Sequence, residues 1–491
     1  MSTIADHAGT PPAKSGSFQQ VLKLAFEMHN AGRHLEAEAM CRILLQLNPQ
    51  DGQLLFLLGM VLHKLRRSRE ALEYLEQAAA LPPPSARVFN GLGHVRQSLG
   101  EHAGAVEHYA RAVELGLRAG DTFYSMGNAC CQLGDVERAV SLFQAAVDLN
   151  PRDAASWNNL GKCLKDTNRL EEAIAAYDRA LAADPEYYLA RYGRTIVLLT
   201  AARMPEGFYE YNKWRNQRLK PREFPRPAWA GGPVPGQTLF LHAEQGFGDA
   251  IQDVRFVRQA RERAGKVILE CRPELKTLFA HSRCAEVVIA FGEDIPPFDC
   301  VASLISLPGL LDITLPTIPR QIPYLQAPPA ALLPPAPPGN RKVGLVWAGN
   351  PEHHNDAARS LCLRELAPLL AAPRTTFYSL QKPVPARDQD DLPSPATLVD
   401  LSGRLPDFLA TASVMGELDL IITVDTAVAH LAGALGKPVW TLLPFSPDWR
   451  WLLDRSDSPW YPTMRLFRQT QHGQWPAVIQ RATEELGRFR R

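Results

Sequence analysis

Two short polar segments that follow apolar runs carry the residue types needed to hold a phosphate and to move a proton. Asp425-Thr426 lies between the apolar run 418–424 and the helix-forming segment 427–435. Either side chain can cap a helix start, where free N–H groups and the helix dipole favour a phosphate. In Gly246-Phe247-Gly248-Asp249, two glycines allow close approach of the backbone to a ligand. Asp249 is a candidate general base for an acceptor hydroxyl, and capping a helix is its simpler explanation.

Parallel strands must position both segments. The run 418–424, the helix 427–435 ended by Gly436, and the run 439–443 predict a βαβ unit. An ordinary βαβ unit without a ligand fits this pattern as well as a phosphate site does. The run 238–242 predicts the strand before Gly246, followed by a helix over 250–263. Further strands are predicted at 266–269, 286–290, 299–305, 342–347, 375–380 and 398–401, and further helices at 363–370, 408–418 and 475–488.

The first two fifths of the chain repeat with a fixed period. Gly59, Gly93, Gly127 and Gly161 recur at intervals of 34 residues, and alanine, large and proline positions share this period. This pattern resembles the tetratricopeptide repeat. The resemblance implies a helical solenoid whose concave face binds a protein or peptide, although a spacer or a dimerisation surface is the alternative. The candidate groove residues are Asn158, Asn159 and Lys162. The accompanying series are Ala37, Ala71, Ala105, Ala139 and Ala173; Cys41, Leu75, Tyr109, Phe143 and Tyr177; and Pro49, Pro83, Leu117, Pro151 and Pro185.

These patterns predict a multidomain chain, in which an all-α solenoid precedes an α/β unit of two Rossmann-like halves. The array occupies 18–219, with five clear repeats and a degenerate capping unit that begins at Tyr188. Residues 1–17 are predicted to be disordered. Proline and glycine mark a linker at 220–237 and a hinge at 327–340. The first Rossmann-like half, 238–326, is short, and the second is 341–491.

The glycine–Asp turn and the run from Val424 to Pro438 together resemble glycosyltransferase family 9, the ADP-heptose:lipopolysaccharide heptosyltransferases. The resemblance covers 238–491 and implies a GT-B fold, a nucleotide-sugar donor and neither an obligate metal nor a cofactor. It implies that Asp249 is the catalytic base. The implied donor-side residues, including two cations placed by position and charge, are Gly349, Asn350, Arg359, Lys382, Asp425, Thr426, Ala427 and His430. The implied acceptor-side residues are Glu244, Gln245, Gly246 and Gly248.

Two departures from the family bear on the acceptor and on activity. Ala427 stands where heptosyltransferases usually carry glycine, and its methyl group narrows the diphosphate approach. The short first half disfavours a lipopolysaccharide acceptor, whereas the repeats favour a protein acceptor. The leading hypothesis is therefore a glycosyltransferase that modifies a protein recruited by the repeats. The alternatives are a non-catalytic repeat scaffold with a degenerate transferase domain and a lipopolysaccharide or surface-polysaccharide transferase.

Composition excludes several other classes. A net charge of +1 carries no mark of nucleic-acid binding. We expect no membrane span, and the eight cysteines, with no CxxC pair, indicate reduced thiols and a cytoplasmic protein. Asp388-Gln389-Asp390 is interpreted as a solvated acidic turn, and His353-His354 as a solvated or donor-facing loop. Trp449 and Trp451 are expected to pack against the sheet, stacking on a base being the alternative.

Overall fold

The computed structural model describes residues 15–218, 222–329, 333–353, 355–391 and 397–490, and the predictions for residues outside these ranges, His354 among them, stay predictions. The chain divides into two compact units between Ala190 and Arg191. Helix α1 begins at Ser15, inside the segment predicted to be disordered. Among the described residues, every helix is too short or too polar to cross a bilayer.

The first unit contains five consecutive helix pairs whose contacts follow the predicted period. A β-carbon placed on Gly93 would lie 2.5 Å from Tyr109 Cε1, and one on Gly127 would lie 2.9 Å from Phe143 Cε1. Only glycine lets the two helices of a pair approach this closely, because carbon atoms repel below about 3.5 Å. The helices are α1 Ser15–Asn30, α2 His34–Leu47, α3 Gly52–Lys64, α4 Ser68–Ala79, α5 Ala86–Ser98, α6 His102–Glu114, α7 Gly120–Gln132, α8 Val136–Leu149, α9 Ala154–Asp166 and α10 Leu170–Ala183.

The degenerate sixth helix pair was predicted to belong to the repeat array, but most of it belongs to the second compact unit. It consists of α11, Tyr188–Thr200, and α12, Met204–Arg218. Met204 and Phe208 are buried in the same apolar cluster as the residues of the α/β core. The compact second unit therefore begins within α11 rather than after 219, because α12 buries its apolar side chains in the α/β core.

The predicted linker also belongs to the second unit. Trp229 is buried, and its backbone N–H donates to the Val301 carbonyl at 2.8 Å. The backbone N–H of Val301 in turn donates to the Pro227 carbonyl at 3.0 Å. These bonds extend the sheet edge, so the proline- and glycine-rich composition does not mark a free connection here. The next strand begins at Val234, four residues before its predicted start.

The first α/β half is built on a four-stranded parallel sheet of order β3-β2-β1-β4. The predicted single helix over 250–263 is interrupted by a 3₁₀ turn, Val254–Phe256, where Arg255 turns into the core and donates to the Gln252 carbonyl. The sequence did not predict α15. The elements are β1 Val234–His242, α13 Phe247–Asp253, α14 Val257–Arg263, β2 Ala264–Cys271, α15 Pro273–His281, β3 Val287–Ala290, β4 Cys300–Ser303 and α16 Leu307–Leu310.

The second half is built on a six-stranded parallel sheet of order β10-β9-β8-β5-β6-β7. Gly436 follows the helix of the predicted βαβ unit with φ +69° and ends it as expected. The sequence did not predict β10. The elements are β5 Arg341–Val346, α17 Asp356–Arg359, α18 Ala367–Leu370, β6 Thr375–Ser379, β7 Leu398–Asp400, α19 Phe408–Gly416, β8 Leu420–Val424, α20 Ala427–Ala434, β9 Val439–Leu443, β10 Met464–Arg468 and α21 Trp475–Arg488.

Candidate functional site

The two polar segments singled out in the sequence meet in the second unit. Helix α13 follows β1, α20 follows β8, and the two helices contact each other near their N-termini. A β-carbon on Gly248 would lie 3.0 Å from His430 Cδ2 and 3.6 Å from Ala427 Cα. Gly248 therefore permits the close approach, and the site lies at the carboxyl edges of two parallel sheets, where α/β proteins bind their ligands.

Asp249 is held by a buried arginine that the sequence analysis did not single out. Arg450 Nη2 donates to Asp249 Oδ1 at 2.5 Å, and Arg450 Nη1 donates to Asp448 Oδ1 at 2.9 Å. The Gly246 N–H donates to Asp249 Oδ2 at 3.1 Å. Burial raises the pKa of Asp249, and the guanidinium opposes that shift. The available sequence signal was the Asp448-Trp449-Arg450-Trp451 run, in which the arginine lies between two large apolar residues.

A second carboxyl group, Asp253, lies one helical turn beyond Asp249. It is 3% exposed, and burial raises its pKa to about 7 against the opposing effect of Arg450. Asp249 and Asp253 line a cavity of about 10 Å³ together with the predicted acceptor-side residues Glu244 and Gln245. That volume is close to the minimum for one water molecule. The cavity thus brings a carboxyl pair together, one member of which can hold a proton near neutral pH.

The start of α20 leaves its backbone N–H groups without a side-chain cap. No side chain caps this helix, and the Thr426 hydroxyl lies 3.1 Å from the Thr423 hydroxyl instead. Arg359 Nη1 donates to the Asp425 carbonyl at 3.0 Å. A β-carbon on Gly349 would lie 2.6 Å from Arg359 Nη2, so the glycine makes room for the guanidinium. Burial, with Asp448 nearby, raises the pKa of Asp425 to about 6.

His430 fixes α20 within the core. Its Nδ1 lies 2.9 Å from the Tyr461 hydroxyl, and its ring stacks on Trp451 with the ring centroids 5.2 Å apart. Burial holds the pKa of His430 well below its usual range, and the charges of Arg450 and Arg255 act in the same direction. The imidazole is therefore neutral at physiological pH. Through its contacts with Tyr461 and Trp451, the His430 ring orients the start of α20.

Four other predicted site residues form hydrogen bonds with groups other than the start of α20. Lys382 Nζ donates to the Leu405 carbonyl at 2.6 Å, and Asn350 Oδ1 accepts from the Glu352 N–H at 3.1 Å. Glu244 Oε1 accepts from the Ser303 hydroxyl at 3.0 Å, and the Gln245 carbonyl accepts from Arg272 Nε at 3.4 Å.

The predicted groove residues of the repeat unit lie on α9. Asn159 Nδ2 donates to Asn128 Oδ1 at 2.9 Å, a bond that joins α9 to α7. Asn158 is buried and donates to Asn159 Oδ1 at 3.0 Å. Lys162 is exposed. Together with Asn128, these residues form a polar strip that runs across the adjoining helices α7 and α9.

Two of the weaker sequence signals have structural roles. The prediction of a solvated turn is wrong for Asp388, which is fully buried and accepts from the Trp347 indole N–H and the Leu363 N–H, both at 2.9 Å. It braces the end of β5. Trp449 and Trp451 are buried as expected, and Trp449 meets Trp460 edge-to-face at 5.8 Å.

A larger cavity elsewhere in the second unit is not the site of the convergent charges. It measures about 360 Å³ and lies between α12 and the segment around α16, with Tyr209, Lys213 and Asp312 in its lining. We assign the candidate site to the contact of α13 with α20, because the carboxyl groups, guanidinium groups and free helix start converge there.

Comparison with known families matches both parts of the chain. Residues 30–86, 56–122 and 124–188 match the tetratricopeptide repeat, and residues 390–451 match glycosyltransferase family 9 (heptosyltransferase). The second match includes Asp425, Ala427 and Arg450. These matches confirm the predicted resemblances, the second over residues 390–451.

Among curated proteins, the chain is similar to Protein FlbA of Caulobacter vibrioides, with 26% identity over 336 residues. The match covers 61% of this chain and 55% of that protein. The chain thus aligns with little more than half of this relative's length.

Solved structures resemble a part of the chain. PilF of Pseudomonas aeruginosa is 17% identical with a TM-score of 0.38, covering 42% of this chain and 94% of that one. TTC0263, a tetratricopeptide repeat protein of Thermus thermophilus, is 23% identical with a TM-score of 0.31, covering 37% and 99%.

Proposed function

We propose that this chain is a glycosyltransferase that moves a sugar from a nucleotide-sugar donor to a protein recruited by its repeats. The observation that carries the proposal is the meeting of α13 and α20, which sets Asp249 beside the uncapped start of a family 9 helix. The family match supports the reaction class. The repeats support a protein acceptor because solenoids expose extended binding surfaces.

The proposed fold is GT-B, with the donor held by the second half. The diphosphate lies at the N–H groups that begin α20, where the helix dipole favours its charge. Arg359, which donates to the Asp425 carbonyl and to Asp356 Oδ1, adds positive charge as the diphosphate leaves. Because these groups supply charge compensation, we propose a reaction without an obligate metal or cofactor.

Asp249 is the proposed base. As the acceptor oxygen bonds to the sugar carbon and the bond to the diphosphate breaks, the acceptor proton passes to a carboxylate oxygen of Asp249. The burial that raises the pKa of Asp249 makes it a better base than an exposed aspartate. Arg450 holds one of its oxygens, so proton transfer requires that this bond lengthen or that the other oxygen accept.

A sugar-mass adduct on co-purifying proteins, detected by mass spectrometry, tests the proposal. Donor turnover by the purified chain should fall at least about a hundredfold in Asp249→Asn, whose shape matches the original side chain. An Asp249→Asn variant that stays folded and retains full turnover would remove Asp249 as the base.

The Arg450 bond to Asp249 and the small cavity favour a second candidate, a non-catalytic repeat scaffold. Both carboxylate oxygens of Asp249 already accept hydrogen bonds, and about 10 Å³ leaves no room for a sugar. Donor binding without turnover, unchanged by Asp249→Asn, is the result expected of the scaffold.

A further inference from the structure

Two thiols in the repeat unit touch each other. Cys131 at the end of α7 and Cys163 in α9 are 32 residues apart in sequence, yet their Sγ atoms lie 3.4 Å apart. Both are free thiols, Cys163 is 2% exposed, and Cys131 is half-buried. A disulfide has an S–S distance of about 2.05 Å, so closure requires the two sulfurs to move together by little more than 1 Å.

The surroundings make the two sulfurs chemically unequal. Either sulfur can donate the hydrogen bond between them. The contact with Cys163 and the Lys162 ammonium lower the pKa of Cys131, whereas the contact with Cys131 and burial raise the pKa of Cys163. A thiolate beside a cation, with partial exposure, is the reactive form of cysteine. Cys131 therefore has the character of an attacking sulfur, and Cys163 that of the thiol that resolves its oxidation product.

We propose that Cys131 and Cys163 form an oxidative modification site, which hydrogen peroxide converts to a disulfide joining α7 to α9. The Cys131 thiolate attacks one peroxide oxygen, the O–O bond breaks, and Cys131 becomes a sulfenic acid as the other oxygen leaves as hydroxide. Cys163 sulfur then attacks Cys131 sulfur, the S–O bond breaks, and water leaves after the thiol proton is transferred. Two thiols are oxidised and one peroxide is reduced to two waters.

The Cys131–Cys163 disulfide would lie beside the predicted groove residues. Lys162 neighbours Cys163, and the Asn128–Asn159 hydrogen bond already joins the same two helices. A covalent link would fix the spacing of α7 and α9 at this polar strip. Oxidation would thus restrict the repeat surface that the proposed function assigns to a protein partner, although the disulfide chemistry does not depend on that assignment.

Peptide mapping of the full chain after treatment with hydrogen peroxide tests the site. The expected result is a cross-linked peptide pair containing Cys131 and Cys163, two hydrogens lighter than the free peptides, with the count of thiols titrated after denaturation falling from eight to six. Before oxidation, Cys131 should alkylate at least about tenfold faster than its neighbour Cys130, whose burial raises the thiol pKa.

Two variants serve as a matched pair. Cys131→Ala should abolish the cross-link, and Cys130→Ala should retain it. The proposal is overturned if the wild-type chain keeps eight thiols, if Cys131 is oxidised only to the sulfinic acid, or if Cys163 pairs with another cysteine. Mapping of the wild-type chain distinguishes these outcomes even where a variant fails to fold.

Discussion

The two compact units differ in what they bury. The repeat unit closes its helix pairs by setting a small residue against a large one, as Gly93 does against Tyr109. The α/β unit buries several charged groups, with Arg450 8% exposed and Asp253 3% exposed, while the repeat unit buries Glu38 at 9%. Burying charge costs desolvation energy that pairing seldom exceeds. The second unit thus holds a cluster of mutually dependent buried charges around Asp249, whereas the repeat unit depends mainly on close packing of small against large side chains.

The largest expected effect comes from removing the shared cation. Arg450→Met leaves Asp249 and Asp448 without their buried partner, and we expect it to lower the free energy of unfolding by about 3–5 kcal/mol. Urea denaturation measures this loss. The control Arg488→Met removes a surface ion pair with Glu485 and should cost far less. Equal losses in the two variants would contradict the distinction between buried and surface charge.

A methyl group tests the packing of the repeat unit. Gly93→Ala places a β-carbon against Tyr109 and should destabilise the array by about 1–3 kcal/mol, seen as faster hydrogen exchange in α5 and α6. Gly487→Ala in α21 meets no atom within 4 Å, so it should be neutral or stabilising. A neutral Gly93→Ala would show that the helix pairs are less tightly packed than described.

Stability of the second unit should depend on pH through Asp253. Its folded pKa, about 7, is above its unfolded value, so the folded state binds the proton more tightly. The resulting stability is full below the unfolded pKa and is lost as the pH rises to about 7. Asp253→Asn should therefore stabilise the chain by about 2–4 kcal/mol at pH 8 and by much less at pH 4, measured by denaturant titration.

Asp249, Arg450 and Arg255 face Asp253 and share this electrostatic environment. The exposed residue Asp294 provides the control substitution, since Asp294→Asn removes one carboxyl group at the surface instead of in the core. If Asp253→Asn changed the free energy of unfolding equally at pH 4 and pH 8, the Asp253 carboxyl group would be more exposed to solvent than described.

The sequence predicts the features that arise from short local patterns. It does not predict the roles of side chains whose partners lie far away in the sequence. The 34-residue period and the βαβ unit at 418–443 are local patterns, and both are found in the structure. Arg450 was missed because its partner Asp249 is 201 residues away. Strand β10 was missed since its two arginines mask the buried Met464, Leu466 and Phe467. Asp388 was misjudged because neither of its hydrogen-bond donors is a neighbour in sequence.

The smallest expected effect concerns the departure from the family at Ala427. Because a methyl group at the helix start narrows the proposed diphosphate site, Ala427→Gly should tighten donor binding by at most about tenfold. Isothermal calorimetry at matched salt measures the change. Weaker binding in this variant would mean that the methyl group contacts the donor favourably.

The central claim is that the start of α20 holds the donor diphosphate. Ala427→Pro tests it, since proline is accepted at the first position of a helix but lacks the N–H that would meet a phosphate. The extended backbone of Thr426 is compatible with a following proline. In calorimetric titrations with ADP- and UDP-sugars, we predict that the wild-type chain binds at least one donor and that folded Ala427→Pro binds it at least about tenfold more weakly. No binding of any donor to the wild type, or equal binding by the two proteins, would contradict the account.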